Sequence, residues 1–250
     1  MDRALYIAMT GAKHNTLAQA ARSNNLANSD TTGFRADFEQ ARAMPVFGEH
    51  YPSRAYSMTE RPATDFNEGP LRSTERELDV AITGDGFFAV IDQNGEEAYT
   101  RRGDLMITPD GEVINGDGLQ VVGEGGPLVL PEFERITIGE DGTISIRPLG
   151  AGAEEILQID ALKLVTPDYQ NFEKGTDGLF RPVNVEEGEE VLPNDPLVRV
   201  LPGYLEGSNV SAVNELIGIL SLSRQFEMQI KMMKSAERMS ESSASILRIT

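Results

Sequence analysis

The side chains available for chemistry in this 250-residue chain are overwhelmingly carboxylates: Asp and Glu number 40, against two histidines, His14 and His50, and no cysteine. Thiolate ligands, cysteine nucleophiles and disulfides are thereby excluded. Serine–histidine–aspartate catalysis and histidine metal sites have almost no material to draw on. Two carboxyl groups could serve as the acid and base of a glycosidase-like site, but nothing in their spacing singles out a pair. Gly123-Glu124-Gly125-Gly126-Pro127 lacks the spacing and the Gly-Lys-Ser/Thr ending of a phosphate loop, and Pro127 would break the helix that must follow. It reads as a turn. Asp92-Gln93-Asn94-Gly95-Glu96 has a calcium-loop flavour, yet its glycine comes too early and Gly103 stands where a bidentate glutamate belongs. A hairpin turn is the expectation there. Asn209-Val210-Ser211 fits a glycosylation acceptor but sits where a helix cap is needed. These patterns predict no enzyme, no cofactor, no metal and no small-molecule substrate.

The formal net charge is -18. A phosphate backbone or an anionic lipid surface repels such a molecule, so neither nucleic acid nor a membrane surface is an expected partner. No apolar run approaches the ~18 residues needed to span a bilayer, and direct membrane insertion is not expected. The stretch Ala4–Met9 is preceded by Asp2, ended by Thr10-Gly11 and followed by Lys13. It falls short of the ~7–15 apolar residues of a secretory core, so if the protein leaves the cytoplasm another route than a cleaved signal is expected. With 40% hydrophobic residues the chain has material for a real core.

Three zones would have to position any functional residue. Residues 3–27 contain no proline and one glycine, and their Ala, Leu, Met and Gln content suits a helix of about 37 Å. Asn28-Ser29-Asp30-Thr31-Thr32-Gly33 then stops it. From Ser211 to about Arg248 a second proline-free stretch places Ile219, Leu222, Phe226, Met233 and Ala236 on one heptad seam, with Leu216, Leu220, Ile230 and Met232 broadening the apolar face. Such a face needs a cover, either the other helix of the same chain or a neighbouring subunit. Between the two, short Val-, Ile-, Leu- and Phe-rich runs alternate with Asp-Gly and Asn-Gly turns, the pattern of antiparallel strands. One hairpin can be written out: Arg135–Gly139 and Thr143–Arg147 flank Glu140-Asp141-Gly142, with Ile136, Ile138, Ile144 and Ile146 on one face. The expected fold class is α+β, a coiled-coil-like stem of long terminal helices with a central, mainly antiparallel β domain. The expected division is 1–35 for the first stem helix, 36–76 for an extended, proline-punctuated arm, 77–190 for the β domain, 191–207 for a return arm and 208–250 for the second stem helix.

Several blocks carry a resemblance. Ser23-Asn24-Asn25-Leu26-Ala27-Asn28 with Thr31-Thr32-Gly33-Phe34-Arg35, Leu78-Asp79-Val80-Ala81-Ile82-Thr83-Gly84-Asp85-Gly86-Phe87-Phe88, Tyr99-Thr100-Arg101-Arg102-Gly103-Asp104-Leu105, Leu205-Glu206-Gly207-Ser208-Asn209-Val210 and Arg224-Gln225-Phe226-Glu227 resemble the signatures of the bacterial flagellar axial proteins of rod and hook. Met1-Asp2-Arg3-Ala4-Leu5-Tyr6 and the overall length are most similar to proximal-rod members, with distal-rod members next; hook proteins are longer. Phe226 stands where the family often has tyrosine, and Ser29-Asp30-Thr31-Thr32 varies the usual turn.

The resemblance implies a structural subunit that self-assembles through its terminal helices into the periplasm-spanning drive shaft of the flagellum. Its partners would be other proximal and distal rod proteins, further copies of itself and the flagellar type III export apparatus. On that reading Leu5, Ala8, Leu26, Leu216, Leu220, Phe226, Ile230 and Met233 make helix contacts at the assembly interface, and Asn24, Asn25, Asn28 and Gly33 shape the exit from the first helix. The alternative is a soluble, monomeric β-rich binding module whose terminal helices pair within the molecule.

Overall fold

Asp2–Ala27 form a helix, α1, and Ala212–Leu247 a second, α2. The computed structural model describes residues 2–38, 41–45, 55–59, 63–150, 152, 155–183 and 191–247; His50, Pro52 and Pro62 lie outside these. The end of α1 follows from its asparagines. The Asn28 amide donates to the carbonyls of Asn24 and Asn25, both at 3.1 Å, and Asn28 Nδ2 donates to the Asn24 carbonyl at 3.0 Å. Carbonyls that the helix leaves open are satisfied in this way. At the start of α2 the Glu215 amide donates to the Ser211 carbonyl at 3.0 Å, and Glu215 in the first turn suits the positive end of the helix dipole.

The chain divides into two compact units. The first joins residues 1–29, 36–65 and 210–250. In it α1 and α2 lie side by side and antiparallel: Arg22 pairs with Glu215 at 3.0 Å, while Gly11, near the other end of α1, faces Gln229. A hairpin pairs Ala41–Pro45 with Ala55–Thr59, and Asp37–Phe38 pairs with Ala63–Thr64.

The second unit joins residues 30–35 to 66–209. Among the described residues all its strand pairs are antiparallel, and its largest sheet has nine strands. Strand Phe87–Ile91 is covered on both faces, as its period of two requires. Phe88 and Val90 enter a large aliphatic core with Val80, Ile82, Leu105 and Leu164. Phe87 and Ala89 point the other way, into an aromatic cluster in which Phe172 and Phe180 stack 5.4 Å apart. The expected hairpin forms in the expected register, Ile136 opposite Ile146 and Ile138 opposite Ile144, and all four isoleucines are buried.

Asp92 closes the hairpin between Phe87–Ile91 and Glu97–Thr100. Its Oδ1 accepts from the amides of Asn94 and Glu96, and its Oδ2 pairs with Arg181 at 2.6 Å. Gly123–Gly126 likewise forms a turn between two short strands.

Two strand pairs cross the expected bounds of the arms. Leu71–Ser73 pairs with Tyr204–Glu206, and Val80–Thr83 with Arg199–Pro202. These pairings place 66–76 and the described part of 191–209 inside the β unit rather than in separate arms. The strands are short and their partners lie far along the chain, so neither segment has a local period that sequence reading could detect.

Ile144 is 1% exposed, so Ile144→Ala should lower the stability of the β unit by about 2–5 kcal/mol, read as a shift of the urea midpoint. The bonds from the Glu96 amide and the Arg181 side chain hold the Asp92 carboxyl down at about 2. A depressed folded-state pKa contributes stability that is present above ~pH 4 and is lost as pH falls toward 2. Asp92→Asn should therefore flatten the acid limb of the stability profile in that window, measured by urea unfolding at successive pH values.

Candidate assembly site

The β unit is organised around one buried carboxylate. Glu206 Oε1 pairs with Arg35 Nη1 at 2.8 Å and accepts from the Gly69 amide at 2.9 Å, while its Oε2 pairs with Arg101 Nε at 2.7 Å. All three charged side chains are at most 2% exposed. Arg101 Nη1 donates to the carbonyls of Gly84 and Gly86, both at 2.8 Å, and Arg35 Nη1 also donates to the Asn67 carbonyl. Two guanidinium groups share one carboxylate, so the cluster carries one net positive charge. Burial pushes the Arg35 guanidinium below its ordinary value, and the Glu206 charge opposes that. Arg35 Nε is buried without a hydrogen-bond partner among the described residues.

Main-chain contacts reinforce the cluster. The Gly33 amide donates to the Glu206 carbonyl at 2.8 Å, the Gly207 amide to the Pro70 carbonyl at 2.9 Å, and Asn209 Nδ2 to the Asn67 carbonyl at 3.0 Å. Gly33 has φ +68°, and a Cβ there would lie 2.5 Å from the Arg101 carbonyl carbon, so the position combines a left-handed backbone with a close approach. Lys174 Nζ donates to the Arg35 carbonyl at 2.9 Å and lies 3.7 Å from the centre of the Phe34 ring. Beside the cluster, Arg102 holds Asp104 with two bonds, of 2.8 and 3.0 Å, and reaches Asp117 at 2.5 Å.

In the helical unit many large apolar side chains lie on the outside. α1 buries Ala8 and Ala12 and leaves Leu5, Tyr6, Met9 and Leu17 exposed. α2 exposes Val213, Leu216, Ile217 and Leu220, then Phe226, Met228, Met232 and Met239. Asn25 is buried and clamps the first short strand: its Nδ2 donates to the Asp37 carbonyl and its Oδ1 accepts from the Asp37 amide, both at 2.9 Å. A cleft of about 300 Å³ opens between the helices and Asp37–Phe38, lined by His14, Arg22, Asn25, Asp37, Glu215 and Leu222 among others.

The expected assembly residues thus fall into three groups. Leu5, Leu216, Leu220 and Phe226 lie on the outer surface; Ala8 is fully buried, and Leu26, Ile230 and Met233 are half-buried. Asn24, Asn25 and Asn28 bond around the end of α1 and the start of Asp37–Phe38. Gly33 belongs to the β unit, beside Arg101 and Glu206. Sequence reading missed the roles of Arg35, Arg101 and Glu206. The only available signal was their presence in the blocks that carry the resemblance, because a buried ion cluster has no periodicity.

Glu206→Ala should destabilise the β unit by about 3–5 kcal/mol, since it strands two buried guanidinium groups. Glu206→Gln, which keeps an acceptor, should lose less. Urea unfolding of both variants at neutral pH measures the difference, and equal, small losses would contradict the central role given to this carboxylate.

Three family models match the chain: Flagella basal body rod protein over residues 5–35, Flagellar hook protein FlgE/F/G D1 domain over 81–146, and Flagellar basal body rod FlgEFG protein C-terminal over 201–246. Each matched region supplies one member of the ion cluster, Arg35, Arg101 and Glu206 in turn. The chain is 40% identical to flagellar basal-body rod protein FlgF of Escherichia coli over 95% of both chains, and 39% identical to FlgF of Salmonella typhimurium over the same shares. It is 30% identical to flagellar basal-body rod protein FlgG of Borreliella burgdorferi over 96% of both chains.

Proposed function

Because the chain belongs to the flagellar basal-body rod proteins, and is more similar to the FlgF than to the FlgG relatives given above, we propose that it is a subunit of the proximal rod that assembles through its terminal helices. The observation that carries this reading is the exposed apolar surface of the helix pair. Twelve large apolar residues of the two helices remain exposed among those described. Fully burying one such side chain is worth about 1.5–3 kcal/mol, so the outer faces hold a large driving force for association that the single chain does not use. Leu5, Leu216, Leu220 and Phe226 are the proposed outer contacts; Ala8, Leu26, Ile230 and Met233 support the pairing of the helices. The coiled-coil-like character of that pair belongs to this proposal.

Charge supports the same reading. The helical unit carries 11 Lys and Arg against 10 Asp and Glu, whereas the β unit carries 11 against 30. Copies can therefore approach through their helices with little repulsion, while their β units repel one another. The partners on this reading are further copies and the other rod proteins, in the periplasmic part of the basal body, after export through the flagellar type III apparatus without a cleaved signal. The role is structural rather than enzymatic. A monomeric binding module with paired helices also fits the contact between α1 and α2, but it gives the exposed apolar residues no task.

Leu216 and Leu220 are 49% and 61% exposed, so replacing both by Asp should leave the monomer folded. The double variant, expressed in place of the natural chain, should retain its helicity and yet fail to enter the rod, giving non-motile cells without hooks. Normal swimming by that strain would refute the assembly reading.

A further inference from the structure

Each terminal helix contains a single glycine, Gly11 in α1 and Gly218 in α2. Glycine is a poor residue for a helix interior, and neither has a left-handed backbone that would require it. What both have is a polar side chain from the other helix lying on them. A Cβ on Gly11 would lie 2.9 Å from Gln229 Nε2, and one on Gly218 would lie 2.5 Å from Arg22 Nη1. The arrangement is reciprocal: α1 offers a notch to α2 at one end of the contact, and α2 offers a notch to α1 at the other. The step from Gly11 to Arg22 along α1 equals the step from Gln229 back to Gly218 along α2, about three turns at ~3.6 residues per turn. Both notches therefore obey one antiparallel alignment. The same alignment sets Asn15 opposite Gln225, Ala18 opposite Leu222 and Asn25 opposite Glu215, and all six of these residues line one cleft.

We propose that Gly11 with Gln229 and Gly218 with Arg22 form a two-point register lock for the helix pair. On α1 the contact they fix is built from small and polar residues, with Ala8, Ala12 and Asn25 buried, while the half-buried residues of α2 include Ile219, Leu222, Ile230 and Met233. Apolar burial alone selects a register poorly against the α1 face, because sliding by a turn exchanges one small residue of α1 for another. A polar side chain seated in a notch favours one register, since sliding obliges the Gln229 amide or the Arg22 guanidinium to swing off a Cβ and give up its seat. Gln229 Oε1 is buried without a hydrogen-bond partner among the described residues, a cost more in keeping with specifying an alignment than with strengthening it. The Arg22–Glu215 ion pair holds the second point from the side. Only the consequence for assembly rests on the rod reading: the lock decides which outward residues of α1 lie beside which of α2, and so the surface that a second copy meets.

The chain has no cysteine, which makes the lock directly testable. In the full chain at low concentration, Asn15→Cys with Gln225→Cys should be joined within one molecule by a short bismaleimide severalfold more than the displaced pair Asn15→Cys with Met232→Cys. Adding Gly11→Leu and Gly218→Leu should abolish that preference with helicity retained. If leucine unfolds the helices, Gly11→Ala with Gly218→Ala decides, because alanine favours helix and still intrudes on both notches. A severalfold fall in aligned cross-linking at undiminished helicity supports the lock, and unchanged cross-linking overturns it. The two readings fail separately. A lost preference in a strain that still swims leaves the lock standing and removes its role in assembly, whereas an unchanged preference removes the lock whatever the strain does.

Discussion

A carboxylate held between two guanidinium groups, away from water, is the constraint on which the β unit depends. Removing Glu206, Arg35 and Arg101 from solvent is costly, and their mutual attraction offsets that cost only while every partner stays in place. This explains why the surrounding chain is so closely specified. Gly33 and Gly69 bring main-chain amides onto Glu206, Gly84 and Gly86 present carbonyls to Arg101, and none of these contacts tolerates a shifted backbone. Since the three charged residues come from regions matched by three separate family models, the cluster joins pieces of sequence that otherwise look independent.

The helical unit follows the opposite economy. Many of its exposed residues are large and apolar, the buried residues of its first helix are Ala8, Ala12 and Asn25, and its charges nearly cancel. Stability that an ordinary domain would obtain by burying leucine and methionine within itself is held in reserve on the surface. The β unit buries an aliphatic core and an aromatic cluster and carries most of the chain's acidic charge, with Leu149, Ile156 and Leu197 among the apolar residues it leaves exposed. The near-neutral helical unit and the acidic β unit thus differ most in charge, and that difference underlies the proposal of assembly through the helices.

Much of this was legible in the sequence, and the reasons are local. Long proline-free stretches gave both helices within a residue or two, and the period of two placed Ile136, Ile138, Ile144 and Ile146 on one buried face. Asp-Gly and Asn-Gly pairs marked turns because those positions need a backbone that glycine adopts freely. What stayed hidden was non-local. Leu71–Ser73 and Tyr204–Glu206 are strands only because they meet each other, and Arg101 finds Glu206 across 105 residues. The seam of α2 was found, but the residues beside it were expected to need a cover without any sign of which ones α1 would leave bare.

The pairing of the β unit's first and last strands has a consequence in time. Leu71–Ser73 and Val80–Thr83 are completed by Tyr204–Glu206 and Arg199–Pro202, and closing so long a loop is entropically slow. A chain that emerges from its N-terminal end, from a ribosome or through any narrow passage, cannot finish this unit until nearly all of it has arrived. Until then Arg35 and Arg101 lack their shared carboxylate, and Leu71–Ser73 and Val80–Thr83 lack their partners. The topology therefore makes the closure of this unit wait for its last strands.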